Sequence, residues 1–308
     1  MMMLEGIRDV KRIYAHGREE APCPDGLAAA LIIRDVFPEV EVRFIAYESK
    51  EHLALEPEPG LLFVDIAPPP HKVDAFLEAR TLVLDHHRSA ADIVRRFEAA
   101  GLGWYADKPG ISAATLAYDV IWSVYQDQGR TNFESTVAHL ARMMGIYDTW
   151  QKDNPDWVPA RELASVLYFF PDWLDYDDPI RVLKERLDLG ELLVAKDDAA
   201  VQALVDGAQR FVTEKGTRVA VIASTALISV AADAFPDADV VVGFMFRIRA
   251  GVPAVKLSFR SRKGGVVVRH IAEALGGGGH DPAASAWVEL HASHRHPYAM
   301  IRAIMETR

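Results

Sequence analysis

Cysteine occurs once in the 308 residues, at Cys23, so no disulfide can close within the chain. That usage makes a reducing, cytoplasmic compartment the expectation. Long apolar runs are missing too. None approaches the ~20 residues that a membrane-spanning helix needs, so no membrane segment is predicted. The start Met1-Met2-Met3-Leu4-Glu5 lacks the basic stretch, apolar run and small-residue cleavage site of a signal peptide. Positive charge is in deficit, with 34 Lys and Arg against 44 Asp and Glu, a net charge of −10. This balance argues against capture of long nucleic acid. It does not exclude a small anionic substrate, because the field at one site can oppose the global sign. Internal repeats and low-complexity tracts are absent.

What is present is ordinary globular composition, long enough for two domains. The first half alternates apolar strand-like runs with helical stretches, the pattern of an α/β domain with a largely parallel sheet flanked by helices. Residues 12–15, 40–46, 61–64 and 81–84 read as strands. Residues 26–36, 71–78, 90–99, 112–126 and 133–145 read as helices. Residues 180–214 are charged and amphipathic and read as connecting helices interrupted at Gly190. Further strands are expected at 219–223, 240–247 and 255–259, and a strand end passing into a helix at 266–275. The expected division is a metal-binding domain over 1–185, a helical linker over 186–215 and a smaller α/β substrate-binding domain over 216–308.

Acids end two of these apolar runs. Asp65 follows Leu61-Leu62-Phe63-Val64, and Asp85 follows Thr81-Leu82-Val83-Leu84. Asp25 lies on the turn into the first helix. Ligands of open α/β sheets bind at the carboxyl ends of the strands, so these carboxylates are expected to converge. Converging carboxylates repel, and a bound cation relieves the repulsion. His16 follows the first strand and His86-His87 follows Asp85, which adds imidazoles to a set suited to manganese, and less selectively to magnesium, zinc or cobalt. Such parts suit a two-metal site acting on a phosphoryl group.

The arrangement resembles the DHH phosphoesterase superfamily, named for the triplet that stands here as Asp85-His86-His87. The resemblance covers most of the chain. His16 to Asp25-Gly26 is similar to the first motif, Asp65-Ile66-Ala67-Pro68 to the second, Asp85-His86-His87-Arg88 to the third, and Asp148 in Gly145-Ile146-Tyr147-Asp148 to the fourth. Ser258-Phe259-Arg260-Ser261 and Gly276 to His280 are similar to the substrate-binding domain of the oligoribonuclease branch. The resemblance implies that His16, Asp25, Asp65, His86 and Asp148 hold two Mn2+ ions, with Asp65 bridging. It implies that Asp85 orients a histidine and that His87 meets the substrate phosphate. Arg260, His280 and the exposed backbone N–H groups of Gly277, Gly278 and Gly279 would grip that phosphate, with Arg88 a further candidate. The implied activity is that of a phosphodiesterase, phosphatase or 3′–5′ oligoribonuclease acting on short RNA or DNA or on a small nucleotide. A homodimer stays open.

The chain departs from the family at the first motif. Cys23 stands where the commoner form has aspartate, and Arg18 to Pro22 are extra. Cys23 as a soft ligand favours zinc or iron. Two other activities stay in view. Ser261-Arg262-Lys263 is similar to a basic tripeptide of the superfamily's pyrophosphatases, and a damaged metal site would leave a nucleotide-binding sensor. Plainer readings apply elsewhere. Asp148 can cap a helix, and a glycine run can be only a turn. The segment 255–272 holds Lys256, Arg260, Arg262, Lys263 and Arg269 and no acid, which suits either a phosphate or a solvated edge strand. Tyr168-Phe169-Phe170 and Trp173 read as core or subunit contacts. His139 reads as a packed or surface group, and His52, His71, His291, His294 and His296 read as surface groups.

Overall fold

The computed structural model describes residues 6–127, 136–170, 172–249, 252–262, 264–290 and 296–307; within these, the side chains of 123, 125–127, 249 and 280 are not described. Lys263, His291, His294 and the start of the helix expected at 133–145 therefore lie outside the described residues. The chain divides into two compact units, Met1–Val194 and Ala195–Arg308.

The first unit is an α/β structure built on β1 (Arg12–Arg18), β2 (Ala21–Pro22), β3 (Glu41–Ile45), β4 (Leu61–Val64), β5 (Leu82–Asp85) and β6 (Gly103–Tyr105). Strands β3, β1, β4, β5 and β6 lie side by side, all parallel, and β2 turns back on the end of β1. Every residue of β4 and β5 is buried, as central parallel strands covered on both faces require. The chain leaves β1 for β3 on one side and returns to β4 on the other. The order thus reverses between β1 and β4, where open sheets form their ligand crevice.

Helices α1 (Pro24–Arg34), α2 (Lys50–Ala54), α3 (Val73–Glu78), α4 (Ala91–Ala99), α5 (Ala113–Asp127), α6 (Thr136–Asp148), α7 (Trp157–Phe169), α8 (Pro179–Arg186) and α9 (Leu189–Asp206) complete the order, with the division between units falling inside α9. Nine consecutive residues of α1, Asp25 to Ile33, are buried. A helix apolar all round belongs in a core. Its neighbours are α5, α6 and α7. Trp173 is fully buried and donates from Nε1 to the Leu167 carbonyl (2.9 Å), a core residue as expected, while Tyr168 and Phe169 are exposed. Gly190 does not interrupt a helix. It lies in the first turn of α9, where a Cβ would stand 2.7 Å from the Glu162 Cβ, so the glycine lets α9 lie against α7.

The second, smaller unit carries β7 (Gln209–Val212), β8 (Arg218–Ile222), β9 (Val240–Arg249), β10 (Val252–Ser261), β11 (Gly278–His280) and β12 (Ala283–Glu289), with α10 (Ile228–Ala231), α11 (Val268–Glu273) and α12 (Pro297–Glu306). The sheet runs β11-β12-β10-β9-β8-β7 and is mixed, with only β8 and β9 parallel. Two expectations need correction. Residues 209–212 are strand rather than helix, because they pair antiparallel with β8. The glycine run belongs partly to a helix stop and partly to edge strand β11. Gly276 takes the left-handed conformation (φ 74°), its N–H donates to the Glu273 carbonyl (3.0 Å), and Gly277 N–H donates to the Ala272 carbonyl (2.8 Å). This pair of bonds closes α11 as a glycine-terminated helix usually closes. The Gly277 amide is therefore engaged by α11 and not offered to a phosphate.

Candidate metal centre

The crevice between β1 and β4 collects the acids and imidazoles. His16 leaves β1 just before the β1–β2 hairpin, whose register pairs Gly17 with Pro22 and Arg18 with Ala21. The extra residues of the first motif are this hairpin. Its legs close so tightly that Cys23 N–H reaches the His16 carbonyl (3.2 Å). Gly17 makes the closure achievable: it sits at φ 133°, and a Cβ there would stand 2.5 Å from the Cys23 nitrogen. Gly26, in the first turn of α1, serves the same end. A Cβ on it would meet the His16 carbonyl at 3.0 Å and Asp65 Oδ2 at 3.3 Å.

Asp65 follows β4 in the left-handed conformation, φ 61°, which Asp tolerates better than most residues. The turn sends its carboxylate inward, with the side chain 1% exposed. Asp65 Oδ2 lies 3.5 Å from His16 Nδ1, and Oδ1 lies 3.4 Å from His86 Nε2. His86 Nε2 is also 3.1 Å from Asp148 Oδ2 and 3.7 Å from Asp25 Oδ2. Asp148 ends α6, which is held against the loop before α5. A Cβ on Gly145 would overlap the Gly110 carbonyl, Thr149 Oγ1 donates to the Gly145 carbonyl (2.6 Å), and Gly110 N–H donates to Thr149 Oγ1 (2.9 Å).

Two donor sets result, each with ligand atoms within 4.8 Å of one another: His16, Cys23 and Asp65, and Asp25, His86 and Asp148. Asp65, Asp85, His86 and His87 form a third such grouping that overlaps both. The residues fit a metal on a second ground. His16 Nδ1, both Asp65 oxygens and His86 Nε2 are buried and lack a hydrogen-bond partner. Buried polar atoms are rarely left so, and a shared cation would satisfy all four. The cluster thus has the capacity to bind divalent cations.

Charges respond accordingly. Burial works against the Asp65 carboxylate, but the neighbouring imidazoles of His16, His86 and His87 prevail and hold it well below its usual range. Burial, then repulsion from Asp65 and Asp148, raises Asp25 to about 8. The Asp25 oxygens accept from the first amides of α5, Ala113 N–H (2.7 Å) and Ala114 N–H (3.0 Å), contacts that the sequence reading missed. The only trace of them in the sequence is Ser112 just before an Ala-rich helix. Burial opposes charge on His86, yet Asp148 and Asp65 raise it to about 11. Burial also opposes charge on His87, and its bond to Asp85 raises it to about 9. Burial and the carboxylates of Asp65, Asp148 and Asp25 push the Cys23 thiol well up.

Asp85 is fully buried and grips His87 twice: Oδ1 accepts from the His87 backbone N–H (3.0 Å) and lies 2.7 Å from His87 Nδ1. The histidine that Asp85 orients is therefore His87. Arg88 is exposed and paired with Asp107. In the second unit, Arg260 is half-buried, with Nε donating to Ser229 Oγ (3.1 Å) and Nη1 to the Phe259 carbonyl (2.9 Å). No carboxylate pairs with Arg260 among the described residues. Arg269, by contrast, is neutralised by Asp281 and Glu273, both at 2.9 Å. Gly279, at φ 139°, lies flush on β12, and Gly278 has open space where a Cβ would be.

His52 departs from expectation. It is fully buried rather than a surface group. Its Nδ1 accepts the Glu48 N–H (3.2 Å) and its Nε2 meets the Ala67 carbonyl (2.9 Å), which pins the segment that follows Asp65. Replacing His52 with leucine strands both backbone groups and is expected to cost about 1–3 kcal/mol in urea denaturation. Unchanged stability would refute the role. Burial lowers the His52 pKa, so this contribution is present above the ordinary value of 6.5 and declines as pH falls below it.

No protein-family model matches the chain, and no curated protein matches it. Solved structures do. The chain is 12% identical to the DHH domain of a member of the s1p family of ribosomal proteins, with 98% of this chain and 87% of that one covered and a TM-score of 0.57. A pGpG-specific phosphodiesterase from Vibrio cholerae is 14% identical, with 96% and 98% covered and a TM-score of 0.50. An exopolyphosphatase-related protein from Bacteroides fragilis is 10% identical, with 98% and 93% covered and a TM-score of 0.54. At these identities the likeness is one of fold. Fold and donor sets together define a two-unit α/β protein with a metal-binding cluster at the sheet's switch point. No helix among the described residues is long and apolar enough to cross a membrane.

Proposed function

We propose that the protein is a metal-dependent phosphoesterase that hydrolyses short oligonucleotides or small phosphorylated nucleotides. The observation that carries the reading is the convergence of buried, unpartnered His16, Asp65 and His86 atoms between two carboxylate-bearing donor sets. His16, Cys23 and Asp65 would hold one ion and Asp25, His86 and Asp148 the other, with an Asp65 oxygen turned toward each set. Divalent ions so held, manganese first among them, would supply water activation and stabilisation of a leaving oxygen. His87, charged at neutral pH and aimed by Asp85, suits proton delivery to that oxygen. Arg260, half-buried with no carboxylate partner among the described residues, suits a phosphate in the second unit, and Gly278, Gly279 and His280 are proposed as its companions. Support for the class comes from the shared fold, since two of its bearers are described as a phosphodiesterase and an exopolyphosphatase-related protein.

A panel of a diribonucleotide, a 3′,5′-bisphosphorylated nucleoside and pyrophosphate, assayed with manganese, tests the reading. Turnover of either nucleotide supports it. Turnover of pyrophosphate alone favours the second reading, motivated by Ser261-Arg262-Lys263. Nucleotide binding with no turnover of any of the three means a sensor. In the active case, Arg260→Ala is expected to raise KM about tenfold to a hundredfold, the worth of a charge-assisted hydrogen bond. Metal content should not change, and an unaltered KM would remove Arg260 from the substrate site.

A further inference from the structure

We infer that the two ion positions differ in kind: His16, Cys23 and Asp65 form a thiolate position for a thiophilic cation such as zinc or iron(II), while Asp25, His86 and Asp148 form a harder position suited to manganese or magnesium. The inference rests on the reading of the cluster as a two-ion centre and is independent of the reaction catalysed.

The donor atoms differ as the claim requires. The first set offers sulfur, nitrogen and oxygen, and the second offers one nitrogen and two carboxylates. Thiolate ligands select zinc and iron, whereas carboxylates suit manganese and magnesium. Cys23 is held in place by backbone bonds on both sides, to His16 and from Leu27 N–H (2.8 Å). It precedes the first turn of α1, a position where Ser, Thr, Asp or Asn would bond the helix amides. Its side chain makes no capping bond of good geometry, and the nearby Gly26 N–H only moderates the rise of the thiol pKa. Independently of the cysteine, Asp65 is buried with both oxygens unpartnered, and the unpartnered His16 Nδ1 lies 3.5 Å from Asp65 Oδ2. A merely packed cysteine would leave those atoms orphaned. On binding, the Cys23 thiol proton passes to solvent and a sulfur lone pair forms the bond to the cation. No oxidation state changes.

The test uses cobalt(II), which reports its ligands by absorption. The full chain, stripped with a chelator and reloaded, is expected to show a thiolate-to-cobalt charge-transfer band in the near ultraviolet. Cys23 is the only cysteine, so the band has a single source. Cys23→Ser should abolish it and retain the visible cobalt bands of the harder position. In the wild type, cadmium should saturate the corresponding ultraviolet band at one equivalent per chain. Cobalt bound with no near-ultraviolet band overturns the thiolate position and leaves the metal centre standing. Failure to bind cobalt at all overturns both.

Discussion

Asp65→Asn is expected to lower kcat/KM by about a thousandfold, or about 4 kcal/mol of transition-state stabilisation. The size follows from position. Asp65 turns one oxygen toward His16 and the other toward His86, so if it bridges the two ions as proposed, its loss weakens both positions at once. Asparagine is the informative replacement because it also accepts the left-handed backbone that Asp65 adopts. The variant should fold normally and bind fewer metal ions per chain by mass spectrometry. A variant with full turnover and full metal content would eliminate the bridging role.

Metal affinity should climb steeply with pH. Without metal, His86 keeps a proton up to about 11 and Asp25 up to about 8. An ion entering the set of Asp25, His86 and Asp148 must displace both below pH 8, and only the His86 proton above it. Apparent affinity therefore gains about tenfold per pH unit for each proton released: a slope of about two below pH 8, falling to about one above. Calorimetry in buffers of different ionisation heat counts those protons. The stability of the metal-free protein runs the other way. Both groups have folded pKa values above their ordinary ones, so the folded state holds protons that the unfolded state has already lost. For His86 the stabilisation is complete below 6.5 and is lost as pH rises toward 11; for Asp25 the loss runs from 3.8 to 8. The melting temperature of stripped protein should therefore fall between pH 6.5 and 8, and manganese should restore it most at the higher pH. A flat affinity profile would mean that neither proton is displaced.

What could be read from sequence depended on whether the local pattern and the tertiary use agreed. Asp65 and Asp85 stood out because each ends an uninterrupted apolar run, the mark of a central parallel strand. Asp25 and Asp148 have no comparable local mark. Asp25 was marked only by its place on the turn from the first strand into the first helix, and Asp148, which ends α6, was singled out by resemblance alone. His52 was misread because its partners, Glu48 N–H and the Ala67 carbonyl, are backbone groups that no side-chain pattern announces. Strand β7 continued a charged stretch that reads as helix, and only pairing with β8 makes it extended. Strand β12 was not foreseen, its Ala283-Ala284-Ser285-Ala286 being too poor in β-branched residues to signal a strand. The glycines from 276 to 279 looked like one loop feature. They divide into a helix stop and a strand that needs close approach to its neighbour.

In this chain, distance along the sequence is a poor gauge of distance in space. His16 and Cys23 are neighbours because the residues between them fold out and back, and Glu19 at the tip accepts the Phe44 N–H (3.2 Å), which ties the hairpin to β3. A search pattern that fixes the gap between the two would pass over this protein and over any cousin whose hairpin has grown. One that allows a variable gap closed by Gly17 and the Cys23-Pro24-Asp25-Gly26 corner would find them.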